Sequence, residues 1–387
     1  MLGAGPAQRA LLEAAAARGV WTAACDRDPA AVGFRVAARR CIVGVDDEAA
    51  LARLAAALEL GGVIAPGADR GVAVAARIAE KLALPHPLAP PTALLATNAL
   101  RQRQALAAAG VPQPRFELAG DGHPALRPPL VVRAPDRQGQ EGPAVVRDER
   151  ALAAALARAR ARARGGPVLV EEEVGGPEVT VTGFSAGGVF CPLAVTDRIV
   201  GPAFGVALAH AWPSPHAEAA VEVTRRAVAA LGIESGPTST RLRVGAGGPE
   251  VIGVSARLPG EYEAELIEAV AGVDLHGLAL AAALGYELDP ADVARRAGER
   301  RVGGAVVRFL VAPPGVLERV EVPQGLPGVV RTWIDCEPGC VLAPLRRASD
   351  RAGALLAVGR SREEAAARAE AAAERIRFRT ANAEALV

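Results

Sequence analysis

Lysine is almost missing from this chain: of 44 basic residues only Lys81 is a lysine. Any chemistry that needs a side-chain ammonium therefore has one candidate. A charge excess is missing too, with 44 basic against 43 acidic residues and a formal net charge of +1. A dedicated nucleic-acid binder is markedly basic, so that class is excluded. Long apolar runs are absent: none reaches the 18 residues of a candidate membrane span. No basic stretch followed by an apolar core opens the chain, and the expectation is a soluble cytoplasmic protein. Cysteines are few. Cys25, Cys41, Cys191, Cys336 and Cys340 are odd in number and mostly scattered. Only Cys336 and Cys340 lie close, with no histidine nearby, so a turn cysteine pair is preferred to a metal half-site.

The residues that are present alternate between two periods. Gly3-Ala4-Gly5-Pro6 opens a helical pattern from Gln8 to Gly19, followed by a strand from Trp21 to Cys25. A second strand spans Cys41 to Val45, a helix Glu48 to Leu58, a third strand Gly62 to Ala65, and a helix Asp69 to Leu82. Such alternation predicts a doubly wound α/β domain with a parallel sheet. The Gly-x-Gly at 3–5 lacks the third glycine of a dinucleotide fingerprint. Pro85 to Pro91 marks a boundary. Beyond it come a helix to Gly110, an apolar strand at Leu130–Arg133, a glycine-bearing loop at Asp136–Gly142, and an alanine-rich helix over 151–164 with its arginines solvated. The stretch "PVLVEEEVGGPEVTVTGF" reads as strand, acidic hinge and strand. A helix over Ala217–Leu231 precedes strands at 238–244 and 251–255, and the chain turns β-rich after Gly303. Asp274 reads as the N-cap of a helix that includes His276, and Ser361 caps a last helix in a Ser-x-x-Glu box.

In series, these segments resemble the ATP-grasp superfamily, in its branch of carboxylate–amine ligases that includes L-amino-acid ligases and the pyrrolysine-biosynthesis ligase. The resemblance runs through "PGADRGVAVAARIAEKLALP", "TNALRQRQALAAAGVPQPRF", "LVVRAPDRQGQEGPAVV", "VLVEEEVGGPEVTV", "FGVALAHAWPSP", "GPTSTRLRV" and "VIGVSARLPGEYEAELIEAVAGVDL". It implies a Rossmann-like domain over 1–90, two ATP-grasp subdomains over 91–170 and 171–290, and a C-terminal α+β lobe over 291–387. It also implies ATP as a ligand, phosphorylation of a substrate carboxylate, and attack by an amine on the acyl phosphate. An amino-acid-like or other small carboxylate is the implied partner, with homodimers the default assembly.

Carried over residue by residue, the resemblance also shows losses. The acid of the first metal-ligand strand falls at Arg241, and the Glu and Asn of the second fall at Gly253 and Ser255. The phosphate lysine of the central strand falls at Arg133, and the earlier lysine at about Ala99. Gln138, Gly139, Gln140, Glu141 and Gly142 occupy the phosphate loop. The nucleotide-side positions that remain are Glu171, Glu172, Glu178, Gly139 and Gly142; Arg257, Gly260 and His210 remain on the catalytic side.

A guanidinium about 5 Å from a magnesium ion repels it by roughly 7 kcal/mol at an effective dielectric near 20. Arg241 thus argues against magnesium, and the expectation is a member that has lost conventional Mg-ATP chemistry and keeps nucleotide or anion binding. Two readings stand beside it: a ligase with a rearranged metal site using Glu261, Glu263 or Glu265, and metal-free binding with Arg241 pairing an anion directly. The competing structural readings are an internal ion pair for Arg257, a loop position for His210, and a solvated turn for Glu171–Glu173. Only Met1 and Leu2 stand before the first glycine, which raises the expectation that the true start lies upstream.

Overall fold

A computed structural model describes residues 1–120, 124–135, 143–163, 166–201 and 205–381. At the N-terminus α1 (Pro6–Ala17) begins with proline in its first turn, where the missing N–H costs no helical bond. It leads into β1 (Ala23–Asp26), β2 (Arg39–Ile42), α2 (Glu48–Ala57) and α3 (Asp69–Lys81). The two strands pair in parallel, with Cys25 opposite Cys41. Leu2 bridges Cys25 in the same sense, and its N–H donates to Ile64 O at 2.8 Å. Residues 62–65 therefore run beside the sheet as expected, but they form no regular strand.

After α4 (Pro90–Ala96) and α5 (Ala99–Ala108), which Asn98 caps through Arg101 N, a small lobe forms. Its strands are β3 (Phe116–Leu118), β4 (Leu130–Arg133), β5 (Ala144–Val146) and β6 (Leu169–Glu172), in the order β3-β6-β4-β5. Helix α6 (Glu149–Ala163) covers this sheet. Leu152, Ala155, Leu156, Ala159 and Ala163 recur at helical spacing and are buried, while Arg158, Arg160 and Arg162 face outward.

The main sheet is built from β7 (Glu178–Ala186), β8 (Val189–Val200), β9 (Ala207–Trp212), β10 (Gly236–Gly245) and β11 (Gly248–Ser255), with α7 (Ala217–Ala230) between β9 and β10. Helices α8 (Glu263–Ala271), α9 (Leu275–Ala283) and α10 (Pro290–Gly298) follow. Asp274 caps α9 through Gly277 N, as its position in the sequence predicts. The chain then adds β12 (Gly304–Leu310), β13 (Gly315–Glu321), β14 (Val329–Ile334), β15 (Val341–Leu342), β16 (Gly353–Gly359), α11 (Arg362–Arg375) and β17 (Arg377–Ala381). The main sheet has the order β11-β10-β7-β8-β9-β12-β16-β14, and β15-β13-β17 form a separate three-stranded sheet. No single described helix is long and apolar enough to cross a membrane; α8 and α9 together have the length and composition, but with a 113° bend between them.

Strand β7 is buried along its whole length, and its alternation separates two environments. Val179 and Val181 pack in the apolar core with α3 and α7 residues such as Val74, Ile78 and Val228. On the opposite face Phe184 packs with Leu266, Ile267 and Val270 of α8. Glu178, Thr180 and Thr182 share that second face, where the sheet becomes polar.

Candidate cleft site

Strand register brings the polar residues together. Arg243, Glu178, Arg198 and His210 stand side by side across β10, β7, β8 and β9. In the next row Gly253, Arg241, Thr180 and Thr196 are neighbours across β11, β10, β7 and β8. Ser255, Ser239 and Thr182 make a third row. Positions 241, 253 and 255 are thus adjacent on one face, although they come from two strands joined by a turn.

The first row is closed by ion pairs. Glu178 accepts from Arg198 at 2.9 Å and from Arg243 at 3.3 Å. Arg198 also reaches Glu261 at 3.3 Å and the carbonyl of Gly205 at 2.7 Å. Glu261 is further bonded to His210 Nε2 at 3.0 Å and paired with Arg351, whose guanidinium lies 3.8 Å over the Phe309 ring. Burial by itself raises the Glu261 carboxyl, but the His210 hydrogen bond and the charges of Arg198 and Arg351 outweigh it and hold it well below the usual carboxylate range. Glu263 is the reverse case. Burial pushes its carboxyl up and the charge of Glu261 reinforces this, against the opposing pull of His210. The Thr182 and Thr196 hydroxyls donate to it at 3.3 and 3.4 Å. His210 Nδ1 stands 3.4 Å from the same carboxyl without a hydrogen bond.

Glu261 and Tyr262 both have positive φ, 63° and 61°, without glycine, and such backbone strain persists only where surrounding contacts over-determine it. Those contacts come largely from the C-terminal part. Besides Arg351, Asp335 accepts from the Tyr262 hydroxyl at 2.9 Å, and Trp333 stacks on its ring at 4.2 Å.

Arg241 is different. It is solvent-accessible at the surface of this crowded face. Among the described residues it makes no hydrogen bond and no ion pair. Desolvation by the surrounding protein lowers its pKa, the charges of Arg198 and Arg257 add to this, and Glu178 and Glu261 oppose it.

A second cluster lies toward the small lobe. Arg103 on α5 is 2% exposed, pairs with Glu171, and donates to the carbonyls of Val251 at 2.8 Å and Ile252 at 2.7 Å. Arg133 approaches the same carboxylate at 3.6 Å. Burial alone would raise Glu171, but the two guanidinium groups prevail and lower it. Gln102, beside Arg103, clamps Val254 by donating to its O at 2.7 Å and accepting from its N at 3.0 Å. Glu172 pairs with Arg115 at the surface.

Of the residues carried over from the sequence, Glu171 therefore sits in a buried ion pair, Glu178 in the floor of the main sheet, and Glu172 at the rim. His210 lies within β9, 1% exposed, and not in a loop. Arg257 pairs with Asp69 at 2.6 Å, which is the internal ion pair named as its competing reading. Gly139 and Gly142 lie outside the described residues, as do Gln138, Gln140 and Glu141. The sequence reading missed Arg103, Arg198 and Arg351. Of these, only Arg198 left a signal, as a charge inside the apolar alternation of β8. Among the described residues, no group of three or more His, Cys, Asp or Glu side chains is arranged to hold a metal ion.

Comparison with known proteins bears on the fold. Residues 308–381, which include Phe309, Trp333, Asp335 and Arg351, match the family model for L-amino acid ligase C-terminal domain 2. The chain is 29% identical over 331 residues to the uncharacterized protein y4rH of Sinorhizobium fredii, covering 81% of this chain and 67% of that one. Its fold superposes on an L-amino acid ligase from Bacillus licheniformis with a TM-score of 0.82, at 23% identity, covering 97% of this chain and 96% of that one. It also superposes on the biotin carboxylase domain of the Hydrogenobacter thermophilus 2-oxoglutarate carboxylase, solved with MgADP, with a TM-score of 0.78 at 18% identity, covering 97% and 89% of the two chains.

Proposed function

This chain has the ATP-grasp fold, and from that premise we propose that its cleft binds a nucleotide or a small carboxylate through arginine, without magnesium. The protein descends from carboxylate–amine ligases and has lost their conventional metal-dependent chemistry. One observation carries this: the accessible guanidinium of Arg241 has no protein partner among the described residues, although Glu178 and Glu261 stand close by. Both carboxylates are already engaged, Glu178 by Arg198 and Arg243, Glu261 by Arg198, His210 and Arg351.

A magnesium ion needs several oxygen ligands in near-octahedral geometry. The three central positions offer a guanidinium, a bare Cα and a hydroxyl, so this donor set does not fit the ion. It does fit an oxyanion. The planar guanidinium of Arg241 can hold two oxygens of one phosphate or carboxylate, and the fields of Arg198 and Arg257 add attraction. The acidic hinge at Glu171–Glu173 remains the nucleotide side of the cleft, and Arg133 borders it. His210 and Arg257 position neighbouring carboxylates, Glu261 and Asp69.

One observation favours the second reading, an active ligase with a rearranged metal site. Among the described residues Glu263 has no ion-pair partner other than the histidine, and together with Glu261 it brings two carboxylates to the cleft floor. Calorimetry with ATP, with and without magnesium, separates the readings. We expect weak binding that falls with added salt and does not tighten with magnesium. The triple variant Arg241→Glu, Gly253→Glu, Ser255→Asn should make binding magnesium-dependent. A tenfold tightening of the unmodified protein by magnesium overturns the proposal in favour of the ligase.

A further inference from the structure

Two thiols in the C-terminal part stand together outside the cleft. Cys336 follows β14 and Cys340 precedes β15, with the exposed turn Glu337-Pro338-Gly339 between them. Cys340 N donates to Glu337 O at 3.1 Å, and Gly339 takes a φ of 93° that a side chain would resist. Both ends of the turn are anchored. On one side Leu317 of β13 accepts from Gly339 N at 2.7 Å and donates to Cys340 O at 2.9 Å. On the other, Ala352 O accepts from Asp335 N at 2.9 Å and from the Cys336 thiol at 3.5 Å. The Cys340 thiol lies within hydrogen-bonding reach of Cys336. Both cysteines are free and half-buried.

A second pair sets the contrast. Cys25 and Cys41 stand opposite each other on β1 and β2 and also interact, but they are only 7% and 8% exposed. Thiol–disulfide exchange needs an attacking sulfur that the oxidant can reach. Of the two pairs, the one at 336 and 340 offers this. Its turn already holds the two ends of a five-residue loop together, so closing that loop costs little further chain entropy.

We propose that Cys336 and Cys340 are a redox modification site, a dithiol that a small-molecule disulfide converts to an intramolecular disulfide. The Cys340 thiolate attacks one sulfur of the oxidant, forms an S–S bond to it and expels the first thiolate. Cys336 then gives its proton to water, attacks the Cys340 sulfur and expels the second. Two protein thiols lose two protons and two electrons, and the oxidant is reduced to two thiols. Burial, with Cys340 and Asp335 adding to it, pushes the Cys336 thiol up to about 11. It therefore carries little thiolate at neutral pH and acts second. The site reaches the cleft from behind. Asp335, beside Cys336, accepts from the Tyr262 hydroxyl at 2.9 Å, and Arg351, beside Ala352, pairs with Glu261. Drawing the two sulfurs from contact to bonding distance turns Cys336 away from Ala352 O and displaces Asp335. The Tyr262–Asp335 bond thus favours the dithiol.

The test equilibrates the full chain with reduced and oxidised glutathione over a range of ratios, then quenches with acid, alkylates and digests with trypsin. Both cysteines fall in the tryptic peptide 332–346, so the disulfide appears as that peptide, unalkylated and lighter by two hydrogens. It should form and reverse with the glutathione ratio while Cys25, Cys41 and Cys191 stay reduced. Cys336→Ser should stop at a glutathione adduct on Cys340, and Cys340→Ser should react at least tenfold more slowly. Coupling between two sites is reciprocal. Tyr262→Phe, which removes the hydroxyl that Asp335 holds, should therefore move the equilibrium at least threefold toward the disulfide. The site is overturned if peptide 332–346 stays a dithiol at every ratio, or if Cys25 and Cys41 oxidise alongside it, which marks an unfolded chain. An unchanged equilibrium in Tyr262→Phe overturns the link to the cleft.

Discussion

Arg103 on α5 and Arg241 on β10 are both arginines set beside acidic residues, yet they are satisfied in opposite ways. Arg103 is enclosed: it pairs with Glu171 and donates to the Val251 and Ile252 carbonyls. Arg241 is close to Glu178 and Glu261 and bonds to neither, because Arg198 has taken both. Guanidinium groups in this lysine-poor chain thus serve two purposes. A buried, fully engaged arginine holds α5 and β6 to β11 and fixes the cleft wall. An accessible one, without a partner among the described residues, leaves its charge open on the face of the main sheet.

The comparison is broken most severely at Arg103. Arg103→Met leaves Glu171 buried with only the more distant Arg133, and removing one partner of a buried pair costs about 3–5 kcal/mol. Arg241→Met should leave stability unchanged or raise it by up to about 1 kcal/mol, since it relieves crowding with Arg198 and Arg257 and breaks no bond. Urea denaturation of the two variants checks both. Equal losses would show that Arg241 is a structural residue after all.

Legibility from sequence follows the same division. The cap at Asp274 follows from local pattern, and the resemblance put positions 241, 253 and 255 in one site, where strand pairing makes them neighbours. Arg103 is invisible because its acceptors lie 148 and 149 residues away and are backbone carbonyls, which carry no residue signature. In a chain where nearly every cation is arginine, a buried arginine looks like any other. The Glu261–Tyr262 turn is hidden for another reason. Its positive φ values usually call for glycine, and here contacts from Asp335 and Arg351, more than 70 residues later, impose them. The regular strand expected at 62–65 fails because its hydrogen bonding extends only to the short Leu2 segment.

Acid and base titration should sharpen the contrast with opposite signs. Glu171 is lowered below its usual value near 4.5 by Arg103 and Arg133 against the effect of burial. Its pairing therefore stabilises the fold above that pH and is lost as pH falls through the folded value. Glu263 is raised above 4.5 by burial, so its favourable contribution is present below that pH and is lost as pH rises through the folded value. The stability gap between the native protein and Arg103→Met should close on acidification. Glu263→Gln, which keeps the shape and removes the titration, should gain on the native protein as pH rises from 4 to 8. Urea midpoints across that range, with both gaps flat, would contradict the two assignments.

The smallest effect tests whether an engaged arginine can be turned into a free one. Arg257 is 21% exposed at its side chain, feels Arg241 across the cleft, and is held away from any ligand by Asp69 at 2.6 Å. Asp69→Asn keeps the acceptor oxygen and the helix-start geometry of α3 but removes the charge that neutralises Arg257. The loss of a carboxylate from the first turn of α3 should cost about 0.3–1 kcal/mol in helix-dipole energy, together with part of a largely buried ion pair. In exchange the cleft gains one uncompensated positive charge beside Arg241. Affinity for ATP without magnesium should then rise about threefold, which corresponds to roughly 0.6 kcal/mol, and the rise should shrink as salt screens it. Arg257→Gln in the same background should return affinity to its starting value. If Asp69→Asn weakens ATP binding, the Arg257–Asp69 pair acts by shaping the cleft and not by withholding charge from it.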